Sequence, residues 1–185
     1  TMMERLTMER LNKNQQIFVD LQTGLIDVIY KEYMKQSSSI LDAQLLNRDK
    51  LLEKIALILL DYKITDNVMD LTEKEKKDLI AEMNKFINTL FNGEVKDETE
   101  AVTNLLKESA RDSYYANTYI YTGMAIKIGY GIKPVNDKQL KRIISSEIKG
   151  KRYSDRIWSN KDNLAKTVKK EVYDFINGKT DVNKI

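Results

Sequence analysis

A chain of 185 residues with one proline, Pro134, and seven glycines contains almost nothing that stops a helix. Proline removes a backbone donor and clashes with the preceding turn. Glycine costs about 1 kcal/mol relative to alanine in a helix interior. With breakers so few and Lys, Glu, Leu and Ile abundant, the expected fold is all-α. It would be a helical bundle, compact or elongated, of about five to seven helices.

The remaining breakers punctuate the pattern. A first helix is expected from about Glu4 to Lys35, periodic in Leu6, Leu11, Phe18, Leu21, Leu25, Val28 and Ile29, with Gly24 kinking or splitting it. Ser37-Ser38-Ser39 reads as a turn. A second helix covers about Arg48 to Lys63, and its run Ile55–Leu60 marks the most buried element. Thr72 with Glu75 has capping-box spacing and opens a third helix, stopping at Gly93. Asp97 is expected to cap a fourth, with Glu98 and Glu100 in its first turn. Gly129 to Pro134 is the clearest break. It divides the chain into an N-terminal helical region, 1–128, a hinge, 129–136, and a basic helical region, 137–185. Asn136 or Asp137 opens a short helix there. Ser154 or Asn160 caps a last long one, which Gly178 closes.

Two absences limit the chemistry. There is no cysteine, hence no disulfide scaffold, thiol nucleophile or thiolate metal site, as befits a protein folded in a reducing compartment. There is also no histidine, the usual general base near neutral pH and the commonest metal ligand. The longest apolar run, Ile55–Leu60, is far shorter than the roughly 20 residues that span a bilayer. The expectation is a non-enzyme with no cofactor, no metal, no small-molecule substrate and no membrane association.

Charge is uneven. Residues 133–185 hold 14 Lys or Arg against 7 acids, whereas residues 1–132 hold 17 against 21. A basic third can attract polyanions, although alternating charges also simply keep helix faces solvated. The aromatic group Tyr114, Tyr115, Tyr119, Tyr121 and Tyr130 could stack on single-stranded nucleic acid. The seven-residue spacing of Tyr114 and Tyr121 favours packing between helices, with hydroxyls at the rim. Glu94, Asp97, Glu98 and Glu100 lack the loop of a hard-cation site and read as the acidic first turn of a helix.

The segment Gly150-Lys151-Arg152-Tyr153-Ser154-Asp155-Arg156-Ile157-Trp158-Ser159-Asn160 holds the one tryptophan and a run of cations at a helix entry. Ser154 would cap, while Ile157 and Trp158 anchor. Lys151, Arg152, Arg156 and the following Lys161 would stay outside to meet phosphates or carboxylates of a partner. The simpler reading is that Trp158 staples the final helix to the bundle.

That segment, followed by Leu164 and a helix through Val168 and Val172 to Ile176, resembles the characteristic region of phage head morphogenesis proteins. These are the minor head, or minor capsid, proteins of tailed phages infecting Gram-positive bacteria. The family pattern is W-x-G-K-x-F/Y-S-x-R-I-W-x-N-x-x-x-L before a long helix. Tyr153, Ser154, Ile157 and Trp158 stand at its structural positions, and Arg156 at its arginine. The family's leading Trp is absent, with Glu147 and Ile148 in that region. The resemblance implies a structural, portal-associated component of head assembly. Its partners would be the portal protein and the major capsid or scaffold protein, with packaged DNA a further one. It would be built in the bacterial cytoplasm and retained in the virion. It also implies that the chain is the N-terminal portion of a longer protein, which in some members ends in an enzymatic domain such as an ADP-ribosyltransferase. A DNA-binding helical protein is the alternative that the basic third supports.

Overall fold

The computed structural model describes residues 12–124 and 134–181. Among them are four helices, α1 (Lys13–Asp61), α2 (Glu73–Met124), α3 (Asp137–Ile144) and α4 (Tyr153–Ile176). A single two-stranded ribbon, β1 (Ile64–Thr65) and β2 (Val68–Met69), joins α1 to α2. The all-α expectation holds with fewer, longer helices. Ser37-Ser38-Ser39 lies inside α1, and both Gly93 and Asp97 lie inside α2. A serine or glycine on an exposed helix face costs at most about 1 kcal/mol, and continuous burial along the opposite face outweighs that. The expected breaks at Gly24 and Gly93 fail for this reason, and a cap at Asp97 has no helix end to serve. Gly129–Lys133, the centre of the expected hinge, lies outside the described residues.

The chain forms two compact units, and α1 and α2 contribute to both. Unit 1 comprises the described residues of Thr1–Ser38 and Ala101–Ser146, and unit 2 those of Ser39–Glu100 and Glu147–Ile185. The division therefore crosses the two long helices instead of falling between residues 128 and 137.

Unit 2 holds the core. Ile55 and Ile58 of α1, Met69 of β2, Leu71, and Leu79, Met83 and Ile87 of α2 form one apolar cluster with Ala165, Val172, Phe175 and Ile176 of α4. The antiparallel course of α1 and α2 here follows from Lys54 pairing with Glu82, and Asn47 bonding Glu94. The ribbon that turns the chain is short. Ile64 pairs with Met69 and Thr65 with Val68, leaving Asp66 and Asn67 as a two-residue loop. Both loop residues have positive φ, 52° and 62°, as a type I′ hairpin requires and as Asp and Asn tolerate.

Helix ends follow local chemistry. The Thr72 backbone N–H donates to the Glu75 carboxylate at 2.8 Å, and the Glu75 N–H donates to the Thr72 hydroxyl at 3.3 Å, the reciprocal capping box expected. The Thr72 hydroxyl and backbone N–H hold the Glu75 carboxyl below its ordinary value. Helix α4 ends in a Schellman motif. Lys179 N–H reaches Asp174 O at 2.8 Å, and Gly178 N–H reaches Phe175 O at 3.0 Å. Gly178 has φ 71°, and a Cβ there would lie 2.6 Å from Val68 Cγ1.

In unit 1, α3 starts with Asn136 Oδ1 accepting from Lys138 N–H at 2.8 Å, and Gln139 Oε1 accepting from Asn136 N–H at 3.4 Å. Leu140 of α3 is the one fully buried side chain among this unit's described residues. Gln22 bonds Asn117 at 3.2 Å, and Arg111 pairs with Glu108 at 2.9 Å. Among the described residues no helix is long and apolar enough to cross a membrane.

Two sets of glycine substitutions should move stability in opposite directions. Gly24→Ala and Gly93→Ala, with open space at the added Cβ, should each stabilise by about 0.5–1 kcal/mol. Gly178→Ala should destabilise through the left-handed φ and the Val68 clash, and adding Val68→Ala should recover only part of the loss. Urea unfolding midpoints test both expectations.

Candidate functional site: a basic turn seated on a buried ion pair

Between α3 and α4 the chain makes a second two-residue turn. Ile148 N–H donates to Lys151 O at 3.0 Å, and Lys151 N–H returns to Ile148 O at 3.4 Å. The intervening Lys149 and Gly150 have φ 53° and 69°. Glycine is suited to that conformation, and Lys149 accepts a small strain for it. The turn is tied to α4 at two points. The Arg156 guanidinium donates to the Ile148 carbonyl, and the Asp155 carboxylate accepts the Arg152 N–H at 3.1 Å. Arg152 therefore occupies the N-cap, whereas Ser154 and Asn160, the expected caps, lie inside the helix. The pairing of Ile148 with Lys151 lets the helix begin at Tyr153, ahead of both.

This arrangement presents Lys149, Lys151 and Arg152 to solvent, none of them paired with a carboxylate among the described residues. Ile157 is buried as expected, and Tyr153 and Ser154 are half-buried. Trp158 is 58% exposed, so it does not staple α4 to the bundle. On α4 the buried seam runs through residues 157, 161, 165, 168, 172 and 175, and Trp158 falls at its margin, in the first turns of the helix. A large aromatic exposed beside unpaired cations is a surface suited to contact.

Lys161, expected among the exposed contact residues, is corrected by the structure. Its residue exposure is 7%, and its ammonium lies 2.8 Å from Glu94 Oε2 and 3.2 Å from Glu98 Oε2. Glu94 is 9% exposed and also accepts from Asn47 Nδ2 at 3.1 Å, while Glu98 accepts from Gln44 Nε2 at 3.5 Å. One cation, two carboxylates and two amides thus join α1, α2 and α4 inside unit 2. Burial disfavours the charged lysine, but hydrogen bonds and charge attraction from Glu94 and Glu98 outweigh it and raise the Lys161 pKa. No buried side-chain polar atom among the described residues lacks a partner.

Glu94 and Glu98 are not a helix first turn, because α2 runs through them. Their function as a paired carboxylate site was hidden in the sequence. The available signal was the four-residue spacing of two acids, matched by a lysine within the apolar series of Ile157 and Ala165. Among the described residues no group of three or more acids is placed to hold a metal ion. The tyrosines are less enclosed than expected. Tyr114 and Tyr115 meet edge to face at 5.4 Å, the Tyr115 hydroxyl accepts from Val135 N–H at 3.3 Å, and Tyr119 is largely exposed. The side chain of Tyr121, and Tyr130 altogether, lie outside the described residues.

Removing the lysine alone should strand the carboxylates. Lys161→Met should cost about 3–5 kcal/mol, whereas Lys161→Met with Glu94→Leu should recover most of it. Because the folded Lys161 pKa lies above the ordinary lysine value of 10.5, its contribution is complete below that pH and is lost as pH rises through the folded value. The urea midpoint of the native chain should therefore fall more steeply above that pH than the midpoint of the double variant.

No family model matches this chain, and neither a curated protein nor a solved structure matches it, so the likeness to minor head proteins rests on the residues of Gly150–Asn160 themselves.

Proposed function

We propose that this protein is a structural and assembly component of a phage head, a minor head protein acting at or near the portal vertex. The observation that carries the reading is the poverty of unit 1's own core. Leu140 is its one fully buried side chain among the described residues, whereas Ile17, Ile26, Val28, Tyr30, Tyr33, Met34 and Tyr119 stand about half or more exposed. Apolar surface on this scale is characteristic of a protein that completes its packing against partners. The resemblance of Gly150–Asn160 to the minor head family supplies the kind of partner: portal, major capsid or scaffold protein. The exposed turn and Trp158 are the contact we assign to that segment, with Lys151, Arg152 and Arg156 as its cations.

Co-expression with portal, major capsid and scaffold proteins of a tailed phage of a Gram-positive host tests the reading. Co-elution with at least one is expected, and Trp158→Ala should weaken that complex by about 2 kcal/mol. Failure to associate with any of the three would overturn the proposal.

A second reading is favoured by the unpaired Lys149, Lys151 and Arg152 beside an exposed tryptophan, the combination that binds nucleic-acid backbone and base. DNA retarded at low salt and released as salt rises would favour it. Unchanged mobility at low salt would rule it out.

A further inference from the structure

We propose that Lys161 is the positioning residue that fixes the register of α4, and with it the place where unit 2 displays the basic turn. The apolar seam of α4 specifies its own register weakly. Sliding the helix by four residues would bring Ile157 to the place of Lys161, Val168 to that of Val172, and Val172 to that of Ile176. Each exchange places an aliphatic side chain on an apolar helix face, which tolerates such swaps at modest cost. Lys161 has no such freedom. A slip would carry its ammonium into the place of Ala165, within the apolar cluster, and would leave the buried Glu94 without a cation. An uncompensated buried charge on each side excludes that arrangement, much as a single polar residue at an apolar seam fixes the register of a coiled coil. Asn47 reinforces the choice by holding the Glu94 carboxylate from α1 at 3.1 Å.

The consequence reaches the turn because Arg156 and Asp155 bind it to the first turn of α4. Turn and helix therefore move together. A slip of one helical turn would displace Lys149, Lys151 and Arg152 by about 5 Å, enough to misplace them against a partner. The lock concerns α4 alone and holds whatever the turn contacts.

The absence of cysteine allows paired spin labels to be placed without background. Labels on cysteines at Lys77 of α2 and Lys166 of α4, both exposed, report the axial position of α4 by pulsed electron resonance. The otherwise native chain should give one distance population. Lys161→Met with Glu94→Leu should stay helical but add a second population displaced by about 5 Å, one turn of helix. Glu94→Gln with Glu98→Gln, which removes the countercharges and keeps the polar groups, should do the same if the first variant does not fold. Lys161→Arg, retaining the cation, should restore a single population. An unshifted single population in whichever of the two charge-removing variants folds would overturn the inference, and so would loss of folding in both. None of these measurements needs a partner, so failure of the register lock and failure of the assembly role read out separately.

Discussion

Bringing an ammonium group out of water is among the costlier acts in folding, and the organisation of unit 2 reflects how that cost is met. Lys161 enters the bundle only because Glu94 and Glu98 stand one helical turn apart on α2, with Asn47 and Gln44 reaching their oxygens from α1. Three helices must be in place together before any of these groups is satisfied. The apolar cluster supplies most of the driving force, since burial of Met83, Ile87, Phe175 and Ile176 removes large hydrocarbon surfaces from water. The ion pair contributes little to that sum. Its effect is to make one arrangement of the helices far better than its neighbours.

The same helix carries both this lock and the surface assigned to contact. Residues 148–152 form a tight two-residue turn bound to the start of α4, and Trp158 stands in solvent one turn further on. A short turn braced by backbone and guanidinium bonds loses little entropy on binding, which suits it to a docking role. Unit 1 differs in kind. Its half-exposed aliphatic and tyrosyl side chains are arranged around little that is buried, as in a surface awaiting another protein. These two features support the proposed assembly role from separate parts of the chain.

Much of the local structure was legible in the residues. The Thr72–Glu75 capping box, the Asn136 start of α3 and the Gly178 stop of α4 are each short-range hydrogen-bond arrangements that a few side chains decide. The same local logic misled at Gly93, Asp97 and Ser37–Ser39, where composition suggested ends that burial along the opposite face overrides. The ribbon was missed because two-residue strands have too few residues to show a period, although Asp66-Asn67 is a turn-forming pair. Ser154 was a sound cap by type and the wrong one by position, since pairing of Ile148 with Lys151 sets the helix entry two residues earlier.

The sequence by itself determined that the chain is helical, where most of its helices begin and end, and that an imidazole or thiol takes no part in its chemistry. Those properties depend on residue type and on neighbours within a few positions. Tertiary structure alone decided the fate of the conspicuous residues. Trp158 is exposed and Lys161 buried, the reverse of what hydropathy suggests for each. The physical reason is that position on the helix, not polarity, selects the buried face. A charge may occupy that face once groups distant in sequence converge to neutralise it.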